Sequence, residues 1–289
     1  MKIIDCKKKQ EEMLAEVKEK TDKIFSQTGK RPKLVVVQVE GDDASDVYIR
    51  NKKKAAEKCG IEFEHCKLTA DVSEHNLKLV LESLNQNDTV TGIMLQLPLS
   101  DSLMSHKQDI LNTINWKKDV DGLTSISIGK LWTNQDGIHP ATAEGILNIL
   151  DEDLSGKNVL IINRSDLIGK PLTKLLESRN ATVTLAHSKT KREELILAMR
   201  RSDIIITATG QPKWIADYMF VNKHISAIID CGICRDENGK LCGDVDTDSL
   251  ESLNVSVTTT PGGVGKLTTG QLMRNVIKAY ELQEANYGK

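Results

Sequence analysis

The sequence predicts an α/β fold of two domains, and three observations carry that prediction. Continuous apolar runs recur along the chain, at 33–39 (KLVVVQV), 92–97 (GIMLQL) and 159–163 (VLIIN). Such runs suit parallel strands covered on both faces. They alternate with segments of helical periodicity rather than with hairpin turns, as parallel sheets require. Finally, 159–190 (VLIINRSDLIGKPLTKLLESRNATVTLAHSKT) reads as strand, tight loop, helix and strand. That is a βαβ unit with the dimensions of a dinucleotide-binding half-domain. A chain of 289 residues is long enough for two domains with ample core.

Taken in order, 8–28 is a charged amphipathic helix, 33–39 a buried strand, 45–59 a helix and 62–68 a strand. Residues 73–85 form a helix with Ser73 as N-cap, although Asn76 stands where a full capping box has Glu or Gln. A third strand, 92–97, stops at Pro98, and 106–114 is a short helix. Residues 119–140 are turn-rich without clear periodicity, and 142–150 is a helix joining two domains. After the βαβ unit come a helix (193–201) and strands at 203–207, 226–231 and 255–257. The segment Pro261-Gly-Gly-Val-Gly265 precedes a last helix, 267–284, expected to pack back on the first domain. The expected domains are 1–140, completed by 266–289, and 141–265, with a cleft between them.

A net charge of −2 gives no general attraction to nucleic acid or anionic membrane. The one basic run, 50–54, reads as the solvated face of a helix. The N-terminal segment lacks the apolar stretch of a signal peptide. No run approaches the roughly 18–20 apolar residues of a membrane span, so a cytoplasmic protein is expected. In that compartment the six cysteines are expected to be reduced. Cys231-Gly-Ile-Cys234 with Cys242 resembles part of a zinc site but lacks a fourth ligand, and Cys231 ends an apolar strand. Packed strand-end thiols are the favoured reading, with no metal.

The loop of the βαβ unit is Asn163-Arg164-Ser165-Asp166-Leu167-Ile168-Gly169 rather than G-x-G-x-x-G. The second strand ends in His187-Ser188-Lys189, where a site for the unphosphorylated dinucleotide usually has a carboxylate for the ribose 2′-hydroxyl. Arg164 and Ser188 suit a 2′-phosphate, which favours NADP. Elsewhere Tyr48 and Lys52 are four apart and share one side of a helix, as they also would on an ordinary surface helix. The loop Gly41–Ser45 delivers that helix from a strand end, where α/β ligands bind. Gln96 is odd in an apolar strand and must find hydrogen-bond partners, a neighbouring backbone sufficing. In Lys118-Asp-Val-Asp121-Gly, both aspartates also read as turn-formers. The glycines of 261–265 let backbone approach a flat ligand or a phosphate, or simply form a loop.

Together these motifs resemble the bifunctional methylenetetrahydrofolate dehydrogenase/cyclohydrolase family over nearly the whole chain. The family's Y-x-x-x-K matches Tyr48 and Lys52, its Q-L-P-L matches Gln96-Leu97-Pro98-Leu99, and its K-D-V-D-G matches Lys118–Gly122. R-S-x-x-V-G-x-P matches 164–171 with Ile168 for Val, and A-T-V-T-x-x-H-S-x-T matches 181–190. D-x-G-I matches 230–233 and P-G-G-V-G matches 261–265. The chain departs from the family at Asn163, where G-R-S is usual, and in the 41–45 loop, shortened by a proline. It departs again at Ala141 and Ala143 (P-C-T-P in the family) and at 258–268, where prolines are lost and Lys266 replaces one of them.

The resemblance implies an N-terminal catalytic domain and a Rossmann-type domain that binds NADP. It implies oxidation of 5,10-methylenetetrahydrofolate and hydrolysis of the methenyl product to 10-formyltetrahydrofolate. It implies catalytic roles for Lys52, Tyr48, Gln96 and Asp121, with Leu97, Pro261, Gly262 and Gly263 also at the folate. Asn163, Arg164, Ser165, Gly169, Ser188, Gly210 and Ile233 would meet the cofactor. A homodimer joined through the dinucleotide domain is implied as well. A dehydrogenase of amino or keto acids shares the two-domain plan, but it needs a carboxylate clamp that Gln96 and Asp121 make poorly. A non-enzymatic dinucleotide sensor or zinc module would show no turnover.

Overall fold

The protein is described from a computed structural model covering residues 1–40, 43–150, 153–220 and 225–285. Gly41 and Asp42 of the expected 41–45 loop lie outside the described residues. In chain order, β1 (Lys2–Ile3) and α1 (Cys6–Thr28) lead into β2 (Lys33–Val39), α2 (Asp43–Cys59), β3 (Glu62–Leu68), α3 (Glu74–Gln86) and β4 (Gly92–Leu95). Short helices follow: α4 (Asp101–Met104), α5 (Lys107–Leu111), α6 (Ser125–Trp132) and α7 (Ala141–Leu147). Then come β5 (Asn158–Ile162), α8 (Gly169–Glu177), β6 (Thr182–Ala186), α9 (Arg192–Arg201), β7 (Ile204–Thr207) and β8 (Ala227–Asp230). A hairpin of β9 (Cys234–Arg235) and β10 (Leu241–Cys242), the strand β11 (Ser256–Val257) and the helix α10 (Val264–Glu284) complete the chain.

The chain divides into two compact units, Met1–Gln10 with Thr142–Thr268, and Glu11–Ala141 with Thr269–Lys289. The second holds a parallel three-stranded sheet in the order β3-β2-β4. Alternate residues of β2 enter different cores, as period-2 geometry dictates. Val35 and Val37 pack with Leu77, Leu81, Ile93 and Leu95. Leu34 and Val36 pack with Ile49, Ala56, Leu272 and Val276. The last helix packs on this sheet: four of its apolar side chains, Leu272, Met273, Val276 and Ile277, are buried there. Each such burial contributes about 1.5–3 kcal/mol. Asn275 fixes its height, its Nδ2 donating to the carbonyls of Val120 (2.9 Å) and His139 (3.1 Å). Ser73 caps α3 as expected, accepting the Asn76 N–H at 3.1 Å.

The stretch 119–140 is not wholly irregular. It contains α6, whose N-cap Thr124 accepts the Ser127 N–H at 3.2 Å. The sequence SISIGKLW alternates at period 2 and carries a helix-weakening glycine, which hid the helix. The short helix α4 was also unexpected, and β4 ends at Leu95, so Gln96 lies one residue past the strand.

The other unit carries a six-stranded parallel sheet in the order β1-β11-β8-β7-β5-β6. The chain runs outward from β5 to β6, then returns past β5 to β7, so the order reverses between β5 and β7. The edge strand β1 has too few residues to show a pattern, and it brings the first ten residues into this unit rather than into the expected 1–140 domain. Cys234 and Cys242 face each other across the β9–β10 hairpin with their Sγ atoms 3.6 Å apart. Among the described residues no group of three or more His, Cys, Asp or Glu is placed to hold a metal ion. Among the same residues no helix is long and apolar enough to cross a membrane.

Candidate functional site

The buried stripe of α2 runs through Ser45, Ile49, Lys52 and Ala56, the spacing of one helix side. A lysine thus occupies a core position, 7% exposed. Its Nζ donates to Gln96 Oε1 at 2.6 Å. Gln96 is held in turn at both ends. Its backbone N–H continues the β2–β4 ladder to the Val37 carbonyl (2.8 Å), and its Nε2 donates to the Leu97 carbonyl (2.7 Å). Tyr48, one turn before Lys52, is 42% exposed, so the two do not share a buried surface.

Asp121 reaches the same end of the sheet through a backbone relay. Ile93 of β4 donates to the Lys118 carbonyl at 2.7 Å and bridges to Asp119 in parallel. Gly92 makes room for this segment, since a Cβ there would lie 2.4 Å from Val120 Cγ1. The turn that follows is organised by the Asp119 carboxylate. It accepts N–H groups from Gly122 (3.0 Å), Leu123 (3.2 Å) and Thr124 (2.8 Å) and the Ser127 hydroxyl (2.7 Å). Of the two aspartates, then, Asp119 is the turn-former. Asp121 is left half-buried and acts electrostatically on Lys52. Burial pushes the Lys52 amine down to about 8, opposed by the Asp121 charge. Burial pushes Asp121 up to about 6, with Lys52 opposing and Asp119 adding to it. An amine and a carboxylate poised on either side of neutrality suit proton transfer.

In the six-stranded unit the remaining candidates gather where the strands end. Asn163, Arg164 and Ser165 follow β5, and Gly169 opens α8. Ser188 follows β6, Gly210 follows β7 and Ile233 follows β8. Arg164, Ser188, Gly210 and Ile233 are exposed. Gly169 must be glycine, because a Cβ would lie 2.1 Å from the Asn163 carbonyl oxygen. Pro261 and Gly262 are exposed in the loop after β11, and Gly262 has φ +96°. Gly263 is buried against the Thr259 carbonyl.

Sequence reasoning missed the residues that tie these loops together. Asp244, wholly buried, accepts the Thr207 hydroxyl (2.6 Å), the Thr209 N–H (2.6 Å) and the Gln211 N–H (3.1 Å), and so shapes the loop around Gly210. Asp230 accepts N–H groups from Gly232 (2.9 Å), Asp244 (3.1 Å) and Val245 (3.0 Å), and burial pushes its carboxyl up to about 6. Thr260 Oγ1 donates to the Gly232 carbonyl at 3.1 Å, linking the loops after β8 and β11. Asp230 carried a signal, as an aspartate ending an apolar run and in the D-x-G-I match, but no role followed from it; Asp244, in the polar stretch 243–249, carried none.

These loops fit a dinucleotide with a 2′-phosphate. They end parallel strands on either side of a reversal in strand order, where such ligands bind. An exposed guanidinium stands at Arg164, and no carboxylate follows β6 in His187-Ser188-Lys189. Two family models match the chain. The tetrahydrofolate dehydrogenase/cyclohydrolase catalytic domain matches residues 4–121, and the NAD(P)-binding domain of the same family matches 140–284. The chain belongs to the tetrahydrofolate dehydrogenase/cyclohydrolase family.

Membership in this family is supported by relatives along the full length. The bifunctional protein FolD of Lachnoclostridium phytofermentans is 41% identical over 279 residues, covering 95% of this chain and 96% of that one. The solved structure of the bifunctional FolD enzyme of Campylobacter jejuni superposes with a TM-score of 0.90 at 34% identity, covering 98% and 99% of the two chains. The Trypanosoma brucei methylenetetrahydrofolate dehydrogenase-cyclohydrolase, solved with NADP and an inhibitor, gives 0.90 at 29% identity, covering 98% of each chain. Shikimate dehydrogenase of Thermus thermophilus shares only the fold, at 13% identity and a TM-score of 0.51 over 86% of this chain and 99% of that one.

Proposed function

We propose that this protein oxidises 5,10-methylenetetrahydrofolate with NADP to the 5,10-methenyl cation and hydrolyses that cation to 10-formyltetrahydrofolate. The family assignment supports both activities. The observation that carries the hydrolytic half is a core lysine bonded to a neutral amide beside a raised carboxyl.

NADP, when bound, supplies the hydride acceptor. The hydride step needs little acid–base help, because nitrogen lone pairs stabilise the cation; it needs near-contact positioning. Arg164 and Ser188 would hold the 2′-phosphate, Arg164 by a bidentate contact. Ser165, Gly169, Gly210 and Ile233 would border the cofactor, and Leu97 with Pro261–Gly263 the folate.

Hydrolysis needs water to lose a proton and the departing ring nitrogen to gain one. Lys52 would move that proton. A free lysine, with a pKa of about 10.4, is too basic to be neutral near pH 7, and burial brings the amine of Lys52 into range. Gln96 would aim the amine without fixing its charge. Asp121 would accept hydrogen bonds from the pterin amino group and ring N–H. Tyr48, exposed on α2, would pack against the aminobenzoate ring.

The test follows reduced-cofactor absorbance with methylenetetrahydrofolate and either NADP or NAD, then acid-stable methenyl absorbance. Faster reduction of NADP, with methenyl product that decays enzymatically, supports the proposal. Turnover of keto or amino acids instead would overturn it. The resemblance extends the reading to a cytoplasmic homodimer, and a monomer mass in light scattering would remove that part.

A further inference from the structure

Asn163 departs from the family's usual glycine, and its side chain makes four hydrogen bonds within the protein. Its Oδ1 accepts the Ser165 N–H (2.8 Å), the Ser165 hydroxyl (2.7 Å) and the Gly169 N–H (3.1 Å). Its Nδ2 donates to the Ala208 carbonyl at 2.7 Å. Ser165 Oγ accepts the Ile168 N–H at 3.2 Å and so extends the bonding to the mouth of α8.

Two consequences follow from where these partners lie. The first concerns α8. Every helix begins with N–H groups that have no partner inside the helix. Ile168, at the N-cap position, has no side-chain acceptor to offer them. Asn163 supplies the missing acceptor from six residues before Gly169, and so acts as a cap delivered from the strand end. The second concerns the sheet. Ala208 follows β7, so the bond from Asn163 Nδ2 spans the strand ends on the two sides of the reversal in strand order. Asp244 then holds the next residues of the same loop, Thr209 and Gln211.

We propose that Asn163 is a positioning residue: it fixes the 163–169 loop and braces it to the β7 loop before the dinucleotide arrives, rather than contacting the dinucleotide itself. This rests on the dinucleotide reading of the unit and deepens it. A loop already ordered spares the cofactor the entropy of ordering it.

The test uses the full chain, NADPH fluorescence titration and amide hydrogen exchange. Asn163→Ala is expected to raise the NADPH Kd and the NADP KM about tenfold, with kcat within about twofold, by loss of preorganisation. Exchange at Ser165 and Gly169 should accelerate. Asn163→Asp keeps the acceptor but not the donor to Ala208, and should retain Gly169 protection. An unchanged Kd with Gly169 still protected in Asn163→Ala would overturn the proposal. Tighter NADPH binding in Asn163→Ala or Asn163→Gly would also overturn it, because the carboxamide would then be competing with the cofactor for these donors. If wild type binds no NADPH, the dinucleotide reading fails instead, and the exchange data still decide whether Asn163 orders the loop.

Discussion

Lys52 donates to Gln96 across 2.6 Å, and the acceptor is an uncharged amide. Gln96 cannot turn its amino end toward Lys52, because that end is bound to the Leu97 carbonyl. Its oxygen is therefore the end that meets the lysine, and the contact orients the amine without a full counter-charge. A carboxylate in the same place would hold the lysine protonated. With a neutral partner, burial sets the balance and brings the amine to about 8.

The first expectation is that Lys52→Met removes cyclohydrolase activity by about a thousandfold, within the usual range for losing a general acid–base group. NADPH binding should be retained, which a fluorescence titration would check. Full retention of hydrolysis would exclude Lys52 from proton transfer.

Dependence on pH follows from the same group. A base must be neutral to act, so cyclohydrolase kcat/KM should climb about tenfold per pH unit below the lysine's pKa and level off above about 8. Gln96→Glu adds a negative charge beside the amine and should move the inflection upward. Asp121→Asn removes a charge that raises the Lys52 value and should move it downward. A profile flat from pH 6 to 9, or shifts of the opposite sign, would contradict the assignment.

Much of this arrangement was legible in the sequence. Parallel strands announced themselves as apolar runs, and β2 and β3 fall on the expected residues. Gln96 stood out because it interrupts an apolar run, Lys52 by its helical spacing from Tyr48, and Asp121 by the Lys118–Gly122 motif, and the structure brings the three together. Tyr48 followed Lys52 on paper because the two share a helical spacing, yet it is exposed, since spacing alone does not set the width of the buried stripe. Asp119 was legible as a turn-former, but the hub residues Asp244 and Asp230 were not legible as hubs. Their partners are backbone N–H groups, and any residue type can supply those. The interlocking of Asn163 with Gly169 was hidden for the same reason.

Cofactor choice is testable at Arg164. It is exposed just after β5, the strand paired with β6, whose end carries no carboxylate. Arg164→Ala should raise the KM for NADP by tenfold or more, since charge-assisted contacts to phosphate are strong, and leave the KM for NAD nearly unchanged. Steady-state dehydrogenase assays with the two cofactors provide the comparison. Equal effects on both would mean that Arg164 does not read the 2′-phosphate.

Asp119 and Asp121, two residues apart, should fail in opposite ways when each is changed to Asn. Asp119 is 1% exposed, and its oxygens receive backbone N–H groups and the Ser127 hydroxyl. An amide nitrogen in place of one oxygen would face donors, leaving buried groups unpaired at about 1–3 kcal/mol each. Asp119→Asn should therefore lower Tm by several degrees, at about 2–4 °C per kcal/mol for a chain of this class. Asp121 is different. Burial holds its folded pKa at about 6, above the ordinary carboxyl value of 3.8. The native state binds this proton more tightly than the unfolded chain, so the carboxyl's contribution to stability is full below about 3.8, is lost as pH rises through about 6, and stays lost above that. Replacing it with a neutral amide should leave Tm unchanged or higher at pH 7.5, while raising the folate KM sharply. In wild type the same carboxylate should be protonated as pH falls through about 6, raising the folate KM on that side. Thermal melts and folate KM values measured from pH 5.5 to 8 separate the two roles. A destabilised Asp121→Asn with normal folate KM would assign that carboxylate to the scaffold instead.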